Sequence, residues 1–417
     1  RASNCRRGCT MTDPVGDGAE YTAHTPLPSD RTLDTMPEIV KLDRTVDYYL
    51  DRKSRYFRAV LGQVATLAIK DKTQPIPMVL VGKPSVQKSS MLDVLRGMPV
   101  VKEIDDFSSK AFVSGKPKTV DGKEVQLIDQ IKDKLVVTSD LGVVFNTENA
   151  SAILSKFVRL YDGANFHKAD GRGMHSGESE LIRFNHIAAI PKFSKEIMAA
   201  FAHLGNRIFL LRIEPPSLTY AETVQTAMKI LENDKPFVEK IAILHKMVEA
   251  FLIERGIIES DSIKWAKDRD ETAGNQVIAQ CATILAATRA GVDATADVMR
   301  EAIPRITEAL YTITQGQALL EGRNYIKTDD VWLAIRICMD SCSSERRATV
   351  LELLKKNKIT VKNLRRVLRP NIDKIKDKKF LKQVDAELSK HLLEMELAEI
   401  ITINGRNIVA FAPEFAK

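Results

Sequence analysis

The sequence predicts an α/β domain with a parallel sheet, followed by a helical domain and a smaller C-terminal domain. Three observations lead to this order. Short apolar runs alternate with helical stretches, and they lie at residues 75–82, 134–140, 184–190 and 207–213. Helical periodicity is then almost continuous over residues 219–340, after a Pro-Pro pair. The last part combines three helical patterns with two β-rich runs around an Asn-Gly pair, which is the strongest short hairpin signal.

Each element of the first domain follows from this alternation. Apolar residues near a 3.6-residue period predict helices within residues 37–70. The run at 75–82 is apolar and ends in glycine, which is typical of a buried parallel strand. Helical patterns at 88–96 and 150–161 separate it from the runs that follow. Strand, helix and strand at this spacing predict one parallel sheet.

We expect four segments along the chain. They are a disordered leader at 1–36, an α/β domain at 37–216, a helical domain at 217–342 and a C-terminal domain at 343–417. The last contains predicted helices at 345–355, 360–368 and 374–394 and a hairpin at 399–411. Three helices with a terminal hairpin predict a winged helix.

The composition limits the class of protein. Apolar residues make up 44% of the 417-residue chain and charged residues 28%, which is ordinary for a globular protein and excludes collagen-like, coiled-coil and wholly disordered chains. No uncharged apolar stretch reaches the roughly 18 residues of a membrane span. The five cysteines are few and scattered, so we expect reduced thiols in a cytoplasmic protein.

The positive charge is concentrated at one end of the chain. The whole chain has a net charge of +7, and residues 345–417 alone hold 17 Lys and Arg against 10 Asp and Glu. Such concentration is expected of a nucleic-acid-binding module. Charge alone does not distinguish this module from a solvated basic surface.

The motif that carries most of the functional prediction is GKPSVQKS at residues 82–89. It follows an apolar run, precedes a helical pattern and matches the phosphate-loop template G-x-x-x-x-G-K-[ST], except that Gln87 replaces the second glycine. In such a loop, backbone N–H groups surround the phosphates of ATP, the lysine reaches the β- and γ-phosphates and the next hydroxyl binds Mg²⁺. We therefore assign these roles to Lys88 and Ser89, with an ordinary strand–helix turn as the alternative. The predicted lining residues are Gly82, Pro84, Ser85, Val86, Gln87, Lys88, Ser89 and Ser90.

Residues 82–92 resemble the phosphate loop of minichromosome-maintenance-type AAA+ helicases. They resemble more closely that of AAA+ ATPases encoded by mobile elements, whose loops read G-x-P-S-x-x-K-[ST]. Later segments of that group are similar to residues 95–99, 111–115, 154–170 and 204–212. The resemblance covers roughly residues 75–350. It implies an AAA+ α/β domain with a helical lid, ATPase activity and a ring-shaped homo-oligomer such as a hexamer.

Asp140 ends the second apolar run, where the resemblance places the acidic residue that holds Mg²⁺. Two nearby positions depart from the family pattern. Leu141 stands where the resembled helicases have the glutamate that polarises the attacking water, and Glu148 is acidic but wrongly spaced. Ile190 stands where a polar side chain would sense the γ-phosphate. These departures predict slow or partner-dependent hydrolysis rather than loss of nucleotide binding.

The resemblance also implies two arginines that assist hydrolysis. Arg207 lies in a segment similar to the one that supplies an arginine finger, which a neighbouring subunit inserts beside the γ-phosphate. Arg305 resembles the second sensor arginine of the lid, a role for which Arg289 competes. The alternative for both residues is a surface arginine without a catalytic role.

A glycine-bounded segment precedes the third apolar run and contains Lys168 and Arg172. In the resembled helicases a hairpin at this place projects into the ring pore and contacts DNA. Because binding of a single strand in a pore is largely phosphate electrostatics, we expect these two residues to make that contact. A flexible surface loop is the alternative.

The C-terminal basic residues are predicted to share a helix face. Residues 355–382 hold twelve Lys and Arg against two acidic residues, and Lys362, Arg365, Arg366 and Arg369 are spaced i, i+3, i+4 and i+7. A helix-turn-helix variant uses such a face to contact phosphates or enter a groove. We expect contact with the DNA backbone without sequence readout, and an acidic protein partner is the alternative.

Taken together, these features predict an ATP-dependent DNA motor, namely a ring-forming helicase or translocase in DNA replication or mobile-element maintenance. The alternative is a nucleotide-binding regulator that hydrolyses ATP weakly or not at all and binds DNA through a winged helix. A DNA-modifying enzyme is the weakest hypothesis, because the sequence shows no clustered His, Cys and Asp for nuclease or transferase chemistry.

Overall fold

The computed structural model describes most of the chain from residue 37 onwards. The described residues are 37–70, 72, 74–105, 118–120, 123–145, 150–163, 167–170, 173–176, 182–191, 207–215, 219–221, 223–224, 228, 236–259, 261–292, 298–299, 301–375, 377–404 and 407–413. The expected leader at 1–36 lies outside them.

Two helices precede the sheet, as the periodicity predicts. They are α1 (Glu38–Tyr49) and α2 (Ser54–Ala65), and a short 3-10 turn at Thr66–Ala68 follows. The turn between them is fixed by Asp47, whose carboxylate accepts hydrogen bonds from the backbone N–H and the hydroxyl of Ser54 at 2.7 and 2.9 Å.

The α/β region contains more strands than the four predicted. In chain order its elements are β1 (Ile76–Val81), α3 (Lys88–Asp93), β2 (Val101–Glu103), β3 (Lys118–Val120), β4 (Lys123–Val125), α4 (Leu127–Ile131), β5 (Leu135–Thr138), α5 (Gly142–Phe145), α6 (Ala150–Tyr161), β6 (His167–Asp170), β7 (Gly173–Ser176), β8 (Asn185–Ile190) and β9 (Phe209–Arg212).

Five of these strands form one parallel sheet in the order β2-β5-β8-β1-β9. The prediction of an α/β domain with a parallel sheet is therefore confirmed. β8 lies between the strand that leads into the predicted phosphate loop and the strand that leads to Asp140. Because the carboxyl ends of parallel strands meet at one edge, residues that follow β1, β2, β5 and β8 are neighbours there.

The helical region consists of α7 (Phe237–Glu254), α8 (Thr272–Arg289), α9 (Ile303–Leu320) and α10 (Trp332–Asp340), with a short antiparallel pair, β10 (Gly291–Val292) and β11 (Val298–Met299), between α8 and α9. One hydrophobic core extends from α1 through one face of the sheet to α10. A second core covers the other face and includes residues of α4 and α6. The first helices and the helical region therefore share a core with the sheet.

The C-terminal region contains α11 (Ser344–Lys356), β12 (Lys358–Thr360), α12 (Val361–Leu368), α13 (Lys378–Leu397), β13 (Ile401–Ile403) and β14 (Ile408–Phe411). Its strands form an antiparallel sheet in the order β12-β14-β13, with a core of its own. The predicted third helix begins later than expected, because the Asp377 carboxylate caps it by accepting from the N–H groups of Lys379 and Phe380.

Candidate phosphate-binding site

The predicted phosphate loop joins a fully buried strand, β1, to α3, which begins at Lys88. Ser85 and Gln87 both have positive φ angles, 68° and 62°. Backbone in this left-handed conformation turns successive N–H groups toward one concave side, which is a common way to form an anion-binding nest. Gln87 thus takes the left-handed conformation that the template assigns to glycine. Val86 is buried, whereas Pro84, Ser85 and Ser89 are exposed.

Position 82 requires glycine because a side chain there would clash with its neighbours, and not because of its backbone dihedral angles. A Cβ atom at this position would lie 2.8 Å from the carbonyl oxygen of Ile213 and 2.8 Å from Cγ2 of Val86. The backbone N–H of Ile213 in turn donates to the carbonyl of Val81 at 2.7 Å. The first residue of the loop is therefore held directly against the end of β9.

The ammonium of Lys88 lies inside the loop. Its Nζ donates to the carbonyl oxygens of Gly82 and Lys83 at 2.6 and 2.9 Å. Burial lowers the pKa of Lys88, and the nearby Asp140 carboxylate opposes this shift. The positive group is thus at the centre of the turn, within electrostatic range of the acidic residue predicted to hold Mg²⁺.

Asp140 lies at the same sheet edge, two residues beyond β5. Its Oδ1 accepts from the backbone N–H of Gly142 at 2.8 Å, and the side chain is exposed. The structure therefore brings Lys88, Ser89 and Asp140 to one edge, in line with their predicted roles.

The two positions that depart from the family pattern are apolar and buried. Leu141 packs in the second core, and its N–H donates to the carbonyl of Ala189 at 2.9 Å. Ile190, which ends β8 between the two site strands, is also fully buried. Neither side chain presents a polar group to the edge where Lys88 and Asp140 lie.

Arg207 and Arg305 lie together, away from the loop of their own chain. Arg207 makes two hydrogen bonds of 2.9 Å to the carboxylate of Asp162, and Arg305 also pairs with that carboxylate. The two guanidinium groups lower the pKa of Asp162 against the opposing effect of burial. The site is at the amino-terminal edge of the sheet, because Arg207 precedes β9.

Arg289, the competing candidate for the second sensor, is buried inside the protein. Its guanidinium donates to the carbonyls of Ile208 and Ser341 and pairs with Glu301 at 3.4 Å. These contacts give it a structural role at the start of β9. Arg305, by contrast, is only partly buried and lies next to Arg207 at the Asp162 carboxylate.

The glycine-bounded segment forms a hairpin. β6 and β7 pair antiparallel, with Lys168 opposite His175. Arg172 lies outside the described residues. The structure thus places the backbone of Lys168 in β6, paired with β7.

The four basic residues of the C-terminal face are mostly paired with acidic residues. Arg365 lies 3.0 Å from Asp385, and Arg366 lies 2.8 Å from Asp373. Arg369 has more distant partners, Glu345 and Glu387, at 3.8 and 3.7 Å. Lys362 is exposed.

A second basic group lies just before and at the beginning of α13. It consists of Lys374, Lys378, Lys379 and Lys382, all of which are exposed. Within the described part of the chain these lysines make no ion pair. We call them the α13 lysines. Spacing alone favoured the α12 face, because the sequence does not show which basic residues face carboxylates.

The comparisons with known proteins provide no assignment. No protein-family model matches the chain, and no curated protein matches it. Among the described residues, no helix has both the length and the apolar character to cross a membrane. The same residues contain no group of three or more His, Cys, Asp or Glu that could hold a metal ion.

Sequence reasoning missed several side chains that organise these edges. Asp162 holds both arginines, and the only signal is its place in a Tyr-Asp-Gly sequence directly after a helix. Asp340 is buried where α10 ends, and its carboxylate accepts from the backbone N–H of Arg212 and from Arg336, both at 2.8 Å. Asp105, two residues after β2, accepts from the N–H of Ser139 at 2.9 Å. Its position could be found only once β2 was known to neighbour β5.

Proposed function

We propose that this protein is an ATP-hydrolysing, DNA-binding motor of the cytoplasm that assembles head to tail into a ring. The observation that carries the proposal is the loop at residues 82–89. It combines two left-handed residues, a glycine at a close approach and a central lysine next to an acidic strand end. The resemblance of its sequence motifs to those of minichromosome-maintenance-type AAA+ helicases adds the family context.

The residues of the loop fit a nucleoside triphosphate and Mg²⁺. The nest offers N–H groups to phosphate oxygens, and the ammonium of Lys88 can exchange its two carbonyl acceptors for the β- and γ-phosphates. Ser89 and Asp140 would hold Mg²⁺, which neutralises charge that develops on the phosphates. Among the residues of this chain, Lys88 binds and orients the triphosphate.

The arginine pair supports a site that two subunits share. In the pairing of β9 with β1, Phe209 lies opposite Met78 and Arg212 opposite Val81. Arg207 comes two residues before this paired region, on the side away from the loop. At about 3.3 Å per residue, this places it roughly 17 Å from the end of β1, where the candidate phosphate loop of its own chain begins. At that distance Arg207 lies too far below the loop of its own chain to reach it, which supports a role at the loop of a neighbouring subunit. Since Asp162 holds Arg305 beside it, both arginines would enter the same neighbouring site.

A head-to-tail contact of this kind closes into a ring when its rotation permits. In the assembled ring, the two guanidinium groups would stabilise the charge of the γ-phosphate during hydrolysis. Both arginines would have to leave the Asp162 carboxylate before they contact the γ-phosphate of the neighbouring site, because that carboxylate pairs with both of them in the single chain.

DNA binding would use the winged helix at residues 343–417 and the β6–β7 hairpin. The order helix, strand, helix, helix and two further strands supports a winged helix. The α13 lysines provide unpaired positive charge for phosphate contacts. The face with Lys362, Arg365, Arg366 and Arg369 contributes less, since its arginines are already compensated.

The second candidate function is a nucleotide-binding regulator that binds DNA but hydrolyses ATP weakly or not at all. The observation that favours it is the pair of buried apolar residues, Leu141 and Ile190, where the resembled helicases have polar groups. In this case ATP would fix a conformation or an assembly state rather than drive movement.

DNA-stimulated ATP turnover, compared between the wild type and Lys88→Ala, separates the two functions. For a motor we expect turnover that DNA accelerates and that the substitution abolishes. Nucleotide binding without turnover supports the regulator. Absence of binding to the wild type, measured with a fluorescent ATP analogue, would reject both. Strand displacement on a forked duplex then distinguishes a helicase from a translocase.

A further inference from the structure

The proposed ATP site lacks a carboxylate at the position directly after Asp140, since Leu141 is buried there. The sheet order supplies another carboxylate at the same edge. β2 pairs with β5 in parallel, with Glu103 opposite Val137. Asp105 lies two residues beyond the end of β2 and therefore next to Ser139. Ser139 directly precedes Asp140. Neighbouring strands lie about 4.8 Å apart, so Asp105 is one strand beyond Asp140 as seen from the phosphate loop.

The position of Asp105 is fixed by the strand ends. The N–H of Ile104 donates to the carbonyl of Val137, and the hydroxyl of Thr138 donates to the carbonyl of Ile104 at 2.8 Å. The N–H of Ser139 donates to Oδ1 of Asp105 at 2.9 Å. Its Oδ2 has no hydrogen-bond partner among the described residues, and the side chain is exposed. One carboxylate oxygen is thus anchored while the other faces solvent at the site edge.

Glu103 is a useful contrast on the same strand. It lies two residues earlier and so on the same face as Asp105. Its carboxylate pairs with Arg96 at 3.5 Å, and Arg96 also pairs with Asp93. The charge of Glu103 is therefore balanced by Arg96, and the residue lies farther from the site edge than Asp105. Substitution of Glu103 is thus a matched control for substitution of Asp105.

We propose that Asp105 is the carboxylate that orients and deprotonates the water attacking the γ-phosphate. This inference rests on the proposed ATPase function. The water oxygen forms a bond to the γ-phosphorus, and the bond between that phosphorus and the bridging oxygen breaks, with its electron pair leaving on ADP. The proton lost by the water passes to Oδ2 of Asp105 and then to solvent. Asp105 thus performs from β2 the task that Leu141 cannot perform from the β5 end.

Asp105→Asn is the decisive variant, because its amide oxygen can still accept from the N–H of Ser139. We expect kcat to fall about 100-fold, as is typical for loss of a general base. The Kd of a fluorescent ATP analogue and the melting temperature should stay close to wild type. Asp105→Glu, which keeps a carboxylate, should retain more turnover than Asp105→Asn. Glu103→Gln should keep kcat within about twofold of wild type.

The outcomes separate this inference from the proposed function. If the wild type shows no turnover that depends on Lys88, the ATPase proposal fails and Asp105 has no reaction to serve. If such turnover exists and Asp105→Asn keeps it, only the role of Asp105 is overturned. Equal losses in Asp105→Asn and Asp105→Glu, or a loss explained by weaker nucleotide binding, also overturn it. If Asp105→Asn does not fold, Asp105→Ser replaces it and the same comparison with Asp105→Glu decides.

Discussion

At the scale of single residues, His186 shows how the sheet controls a protonation state. It is buried in β8, 3.0 Å from the Thr138 hydroxyl and 2.7 Å from that of Tyr161. Thr138 donates its proton to the carbonyl of Ile104, so it accepts from Nε2–H of the histidine. Nδ1 then has no proton and accepts from Tyr161. This arrangement requires the neutral ring, and burial lowers the pKa of His186 to about 3.

We expect the free energy of unfolding to fall as the pH decreases from about 6.5 toward 3. In this range the unfolded chain binds a proton at His186 that the folded protein does not, so acid favours unfolding by up to about 1.4 kcal/mol per pH unit. His186→Gln should be less stable at pH 7 but lose this part of the pH dependence. Urea unfolding at pH 7, 6 and 5 measures it. His245→Gln is the control, and an unchanged slope in His186→Gln would contradict the assignment.

At the scale of elements, α2 and α9 cross at two glycines. A Cβ on Gly316 would lie 2.4 Å from the carbonyl oxygen of Gly62, whereas a Cβ on Gly62 would lie 2.3 Å from the amide nitrogen of Gln317. The backbone of α2 cannot move away from a new methyl group on Gly316, whereas the flexible end of the Gln317 side chain can move away from one on Gly62. We therefore expect Gly316→Ala to lower the free energy of unfolding by about 2 kcal/mol or more, and Gly62→Ala by less. Denaturant unfolding of both variants tests this, and a larger effect of Gly62→Ala would contradict it.

The C-terminal helices allow a prediction about DNA. Alanine at Lys378, Lys379 and Lys382 should weaken binding to a short duplex and reduce the slope of log K against log salt by about 3, if each lysine contacts one phosphate. Alanine at Arg365 and Arg366 should reduce the slope less, because Asp385 and Asp373 already compensate these charges. Salt titrations of fluorescence anisotropy measure both slopes. A larger effect of the arginine pair would restore the α12 face as the main contact.

At the scale of the whole molecule, the sequence predicts what is local and misses what joins distant segments. Four strands were predicted because their residues form uniformly apolar runs that are buried on both sides. β2 has no such signal in the sequence, because Val101, Lys102 and Glu103 form a short edge strand that is partly exposed and has no apolar run. The candidate phosphate loop can be predicted from the sequence because its residues are consecutive. The pairing of Arg207 with Asp162, and the approach of Asp105 to Ser139, depend on strand order and have no local signal.

The proposed head-to-tail assembly leads to the last prediction. If Lys88 and Arg207 act on the same ATP from different subunits, Lys88→Ala and Arg207→Ala should each abolish turnover, whereas a mixture should recover part of it. In rings formed at random from equal amounts, about a quarter of the interfaces join an intact loop to an intact arginine. Turnover should therefore rise toward a quarter of wild type once subunits exchange. Wild type mixed with Lys88→Ala is the control, since the wild-type loop and Arg207 are both intact, and it should give about half of wild-type turnover. If the first mixture stays inactive while the control is active, Arg207 does not act across an interface, and the arginine pair no longer supports a ring.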